Sequence, residues 1–249
     1  MLRSLVGSEM CIRDRVGTIQ KSMQTLLAQE KPGITLTGYY FGLYEYPVNR
    51  NNCRYEAYYF MPKGNVRKKA GFSNCLFEVM YSEPCPMIKA YCCEAGRYIP
   101  VFSQVENPNT EQLKRNNELL RMFMDHLSKQ PEHKAAMLCE KDIAGKLYET
   151  IMSRPNRWEA KYYGMQLFSD DLSDEHMRCI ANRLTQREIK DLRILSKLCI
   201  MLGLSKKVIH ESGWIEGTIV NAGKHISSNL RSARMAKYVT HLRQSLKAK

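Results

Sequence analysis

The chain has 249 residues, enough for one large domain or two ordinary ones, and its 44% hydrophobic and 25% charged content describes a folded chain, not a disordered one. Lys and Arg number 38 against 25 Asp and Glu, a net charge of +13. The longest strictly apolar run, Leu198–Leu202, is far short of the roughly 20 residues a membrane helix requires, which excludes a membrane-spanning protein.

Residues 4–15 read SLVGSEMCIRDR. This segment resembles the translation of a transposase-based sequencing adapter: the codons CTC GTG GGC TCG GAG ATG TGT ATA AGA GAC encode Leu5–Asp14 in order. Residues 1–15 are therefore set aside as an adapter-derived artefact, and the natural start is expected to be missing. From residue 16 to 33 the spacing of Ile19, Met23, Leu26 and Leu27 predicts a helix, ended by Pro32-Gly33.

Residues 34–106 read as an antiparallel β domain. Its runs, ITLTGYYFGLYEY, CRYEAYYFM, CLFEVMYS and MIKAYCCEAGRYIPVFSQV, are rich in Tyr, Phe, Val and Ile. Cys75, Phe77, Val79 and Tyr81 alternate with Leu76, Glu78, Met80 and Ser82, a strand-like period. The turn clusters PVNRNN, PKGN, SEPCP and EAGR separate the runs, predicting a meander of four or five strands. Ten of the fourteen Tyr lie between residues 39 and 98. A basic loop, Lys63, Arg67, Lys68 and Lys69, adjoins them. Exposed tyrosines beside such a loop could stack nucleobases. The plainer alternative is half-buried sheet tyrosines and a solvated hairpin tip.

Residues 107–184 read as helical. Asn109 and Gln112 resemble an N-terminal capping pair ahead of Leu113, Leu120, Phe123, Met124 and Leu127. A second helix is expected around Ile143, Leu147, Tyr148 and Ile151, and a third, after Pro155, around Trp158, Tyr162 and Met165. Ser173 is the expected cap of a fourth, with Leu172 and Met177 as a staple.

Residues 185–249 form a basic helical region. Thr185 and Glu188 make a capping box, with Leu184 and Ile189 as the matching staple, opening a helix that carries Leu192, Leu195, Cys199 and Leu202. Residues 195–214, LSKLCIMLGLSKKVIHESGW, weakly resemble the bacterial helix-turn-helix. Cys199 stands where that family usually has Ala, Gly203 takes the turn, Leu204 plugs the corner and Ile209 buries the second helix. The resemblance implies that Ser205, Lys206, Lys207 and His210 face the major groove. A helical hairpin within a bundle is the alternative. Trp214–Val220 reads as a wing strand or a further helix. Ile226–Leu246 reads as a helix whose apolar stripe slips, implying a bend near 233–235.

Charge sharpens this reading. Residues 181–249 hold fourteen Lys and Arg against four Asp and Glu, a net +10, leaving +3 for the first 180 residues. Lys224, Arg231, Arg234 and Lys237 are the expected further nucleic-acid contacts. A solvated basic tail, or one meeting acidic proteins, glycans or anionic lipids, is the alternative.

No enzyme, cofactor or metal is expected. No two cysteines form a C-x-x-C pair, no G-x-S-x-G or P-loop pattern occurs, and His241-Leu-Arg243 lacks the H-x-x-R spacing of a tyrosine recombinase. The cysteines read as free thiols of a reducing cytosol; a redox role for Cys92–Cys93 is the lesser alternative. The expectation is an α+β, cytoplasmic, non-enzymatic DNA-binding protein, a regulator or mobile-element accessory. Duplex DNA is the favoured partner. RNA bound by the tyrosine-rich sheet, as in a nucleocapsid-like protein, and a basic partner-binding structural protein are the alternatives, and a homodimer formed through the sheet is open.

Overall fold

The computed structural model describes residues 17–47, 52–86, 88–138, 140–168, 177–182, 184–185, 188 and 212–247. Helix α1 (Thr18–Glu30) starts at Gly17, whose φ of 67° suits glycine. Its predicted apolar side is not its buried one: Gln20 and Gln24 are buried, while Leu26 and Leu27 are exposed. The glutamines explain this. Gln20 Nε2 donates to the carbonyls of Leu36 and Arg54, each at 2.9 Å, and Gln24 Nε2 to that of Ile34. The helix is docked by polar bonds onto strand carbonyls, and these outweigh burial of two leucines that water tolerates at the surface.

Strands β1 (Leu36–Gly42) and β2 (Cys53–Phe60) pair in parallel, from Leu36 opposite Cys53 to Gly42 opposite Phe60. The predicted antiparallel meander is corrected here. A hairpin needs only a short turn, but residues 43–52 can reach about 33 Å when extended, and β1 rises only about 23 Å, so the connection carries the chain back to its starting end. One register slip separates Tyr40 from Gly42.

The presumed hairpin tip after β2 is the short helix α2 (Val66–Ala70). The presumed strand CLFEVMYS is helix α3 (Asn74–Tyr81). That segment fits both periods, since Leu76 and Val79 also share a helical face and both are buried. The cap decides: Ser73 is extended, and its Oγ accepts from the Leu76 amide. Strands β3 (Ile88–Glu94) and β4 (Arg97–Phe102) do form an antiparallel hairpin. Ala95 and Gly96, both at positive φ, make its tight turn. Among the described residues the sheets are separate two-stranded pairs, the last being β5 (Leu167–Phe168) with β6 (Arg178–Cys179).

Helices then dominate: α4 (Thr110–Ser128), α5 (Glu132–Leu138), α6 (Lys141–Ser153), α7 (Arg157–Gly164), α8 (Ile215–Ala222) and α9 (Ile226–Lys247). The chain is α+β. On α4, Leu113 and Leu127 are buried, but Phe123 and Met124 are exposed, and Asn109 does not cap the helix. Its amide side chain instead accepts from the Leu167 amide at 2.9 Å and donates to the Leu167 carbonyl at 2.7 Å, filling the place of a neighbouring strand. Helix α9 continues through 233–235 without a break. Ser173 and Leu172 lie outside the described residues.

One core cluster joins Tyr59 and Phe60 of β2, Phe72, Leu76, Val79, Met152, Phe168, Ile180, Ala181 and Trp214. It draws residues from both sides of the divisions at 106 and 184. Trp214 is fully buried and its indole N–H donates to the Met152 carbonyl at 2.8 Å, so the ring carries no orphan donor. Ile215, Ile219 and Ala233 form a second cluster between α8 and α9, on which Leu184, Ile226 and Leu230 pack. No helix among the described residues is long and apolar enough to cross a membrane.

Candidate nucleic-acid interface

The expected groove-facing residues Ser205, Lys206, Lys207 and His210 lie outside the described residues. The start of the region is described. The Thr185 amide donates to Glu188 Oε2 at 2.6 Å, and the Glu188 amide to Thr185 Oγ1 at 3.4 Å. The capping box read from the sequence is therefore formed. Leu184 packs on the α8–α9 cluster.

The four residues of the basic loop divide. Lys63 and Arg67 are exposed. Lys68 is half-buried, sits over the Tyr59 ring at 5.0 Å and pairs with Asp142 at 3.6 Å. Lys69, expected in a solvated loop, is only 1% exposed. Its Nζ donates to the Pro62 carbonyl at 2.5 Å and the Tyr44 carbonyl at 3.5 Å, tying the segments that leave β1 and β2 to α2. Burial pulls its pKa down, and the Glu45 carboxylate opposes that shift. Two positions along a helix turn about 200°, which places Lys69 under α2 while Arg67 faces out.

The four basic candidates near and on α9 divide in the same way. Lys224 and Arg231 are exposed. Arg234 pairs with Glu149 of α6. Lys237 Nζ meets both carboxylate oxygens of Glu216, at 2.7 and 2.9 Å. Glu216 is 2% exposed, so its charge would be costly without this partner. Two of the four charges are thus spent inside the fold.

Helix α2 packs against α9. The Gly64 amide donates to Ser245 Oγ at 3.2 Å, and the Tyr44 and His241 rings lie 5.1 Å apart. Lys63 and Arg67 are thereby brought beside the last turns of α9, which carry Arg243. The two basic stretches, some 180 residues apart in the sequence, meet on one side of the protein. His241 lies beneath this junction. Burial holds its pKa below the ordinary histidine value; a hydrogen bond with Gln244 works against that, and the Lys237 and Lys69 charges add to it.

The aromatic residues of the first two strands are mostly structural. Phe41 stacks on Phe77 at 4.6 Å and meets Tyr148 edge-on at 5.1 Å, while Tyr59 is buried. Tyr39, Tyr58, Tyr81 and Tyr98 remain exposed. Tyr39 of β1 and Tyr58 of β2 share the exposed face of one two-stranded sheet, while Tyr81 and Tyr98 sit on other elements.

The helix expected around Trp158, Tyr162 and Met165 is α7, yet all three of these residues are exposed. The packed face is Ala160 and Gly164, and the Asn221 side chain donates to the Ala160 carbonyl at 3.0 Å. A Cβ on Gly164 would stand 2.8 Å from the Ala181 Cβ, so a small residue is required there. The legible signal was R-W-x-x-K-Y, a basic–aromatic pair repeated one turn later.

Cys53, Cys85, Cys92, Cys93 and Cys179 carry free thiols. No cluster of metal-ligating side chains occurs among the described residues. Comparison with protein-family models, curated proteins and solved structures finds no match to this chain.

Proposed function

We propose that the protein is a non-enzymatic nucleic-acid-binding protein whose primary partner is duplex DNA, as a regulator or mobile-element accessory would be. The observation that carries this reading is the meeting of α2 with the end of α9, which sets exposed Lys63 and Arg67 beside the turns that expose Arg243. A surface with clustered, outward cations releases counterions from a polyanion and gains affinity that way. The helix-turn-helix resemblance over residues 195–214 is what favours duplex DNA over other polyanions, with Ser205, Lys206, Lys207 and His210 as the base-proximal residues.

Fluorescence anisotropy of the full chain with labelled duplex DNA, duplex RNA and single strands across a salt series tests the proposal. Duplex DNA should bind most tightly, with affinity falling steeply as salt rises. Lys63→Ala with Arg67→Ala, and separately Lys206→Ala with Lys207→Ala, should each lower the salt slope by about 0.9 per lost phosphate contact. An absence of binding at low salt ends the nucleic-acid reading. Binding of duplexes unaffected by Lys206→Ala with Lys207→Ala removes the helix-turn-helix from it.

A further inference from the structure

We infer that the outer face of α7 binds unpaired nucleotides of a single-stranded nucleic acid. Trp158 and Tyr162 stack on bases, and Arg157 and Lys161 hold the adjoining phosphates. This rests on the nucleic-acid reading above and adds to it a second surface for a different form of the polymer.

The face is set by helical geometry. Residues 157, 158, 161 and 162 fall within an arc of about 140° on a 3.6-residue helix, with Trp158 and Tyr162 farthest from buried Ala160 and Gly164 and the two cations between. Trp158 is 80% exposed, and Tyr162 lies four residues, about 6 Å, further along. A tryptophan left in water gives up most of the stabilisation that its burial would provide. Arg157 and Lys161 are exposed beside these rings and have no ion-pair partner among the described residues. The nearest acid in sequence, Glu159, accepts from the Asn156 amide at 2.7 Å while Asn156 Oδ1 accepts from the amides of Trp158 and Glu159. That capping box turns the carboxylate toward the helix start and leaves the face basic.

Alternating cations and exposed rings match a single strand, where each base offers a π-face and each link a phosphate. An apolar protein partner would have to bury the two cations unpaired, at a desolvation cost that phosphates avoid. Duplex DNA keeps its bases stacked on one another and offers nothing to Trp158.

The chain has two tryptophans, and Trp214 is buried, so the long-wavelength part of the indole emission reports Trp158 alone. Titration of the full chain with short thymidine and uridine homopolymers should quench that component and leave the Trp214 component unchanged. Trp158→Ala should weaken homopolymer binding about tenfold or more. Arg157→Ala with Lys161→Ala should reduce its salt slope by about 0.7 per lost contact. Circular dichroism and the Trp214 emission verify that the variants are folded. Homopolymer binding without quenching, or undiminished binding by Trp158→Ala, overturns the inference. So does a blue shift with phosphatidylglycerol vesicles where the homopolymers do nothing. Duplex DNA titrated in parallel separates the two readings. Duplex binding without any homopolymer effect removes α7 only. Homopolymer quenching retained when Lys63→Ala and Arg67→Ala abolish duplex binding supports two independent surfaces. Failure of every nucleic acid removes both.

Discussion

Helices α7 and α9 both carry basic residues one turn apart and use them in opposite ways. On α9, Arg234 faces Glu149 and Lys237 faces buried Glu216. On α7, Arg157 and Lys161 face solvent, beside an exposed tryptophan. By charge count the C-terminal region is the binding surface and α7 is unremarked. By available charge, α7 holds two cations beside two rings, and α9 has already committed two of its three candidates. The difference comes from what each helix packs on. Helix α9 lies against elements that present carboxylates, whereas α7 meets α8 through Ala160 and Gly164, too short to carry any charge inward.

The largest effect that would test this contrast is at Lys237. Its replacement by Ala leaves Glu216 buried without a counter-charge, and a loss of about 3–5 kcal/mol is expected in urea unfolding. A loss below about 1 kcal/mol would mean that the pair is solvated and that Lys237 is free to bind phosphate. Arg234 comes next. Its partner Glu149 is partly exposed, so Arg234→Ala should cost about 1 kcal/mol or less by the same measurement. An equal cost at both sites would remove burial as the explanation.

A weaker dependence on pH is expected from His241. Its pKa is lowered in the folded protein by burial, with the Lys237 and Lys69 charges adding to that and the Gln244 hydrogen bond opposing it. The unfolded chain therefore takes up a proton more readily, and stability falls as pH drops through and below the ordinary histidine range near 6.5. Tyr44 lies tilted against the ring and offers no compensating negative charge. Urea midpoints between pH 7.5 and 5 should show this decline, and His241→Gln should flatten it. A decline of the same size in the variant would assign it to other groups.

The sequence was legible where one local device settled the structure. The Thr185–Glu188 box, the EAGR turn of the hairpin and the break at Pro32-Gly33 each involve a few adjacent residues whose geometry does not depend on tertiary packing. It was not legible where two periods competed. Residues 75–82 satisfy both alternation and a helical face, and the Ser73 cap outweighs the β-preferring residues. Nor can a single sequence show which direction the chain returns between β1 and β2, because that depends on distant packing. The candidate site shows the same limit. Clusters of Lys and Arg were visible, but their depletion by Asp142, Glu149 and Glu216 required contacts across the fold. On α7 the large apolar residues at helical spacing marked the helix but not its packed face: Ala160 and Gly164 allow a closer approach, and the large residues stay outside.

The smallest expected effect is the most discriminating. If Arg157 and Lys161 serve only an external ligand, their joint replacement by Ala should change folding stability by no more than about 0.5 kcal/mol, as for surface sites without structural partners. Alanine also has a slightly higher helix propensity than either residue, which opposes any small loss of packing by their stems. Near-zero change in urea unfolding, together with a reduced salt slope for single strands, would place their free energy entirely in binding. A loss approaching that of Arg234→Ala would show that these cations are spent within the fold as those of α9 are, and α7 would then lose its claim to the phosphates.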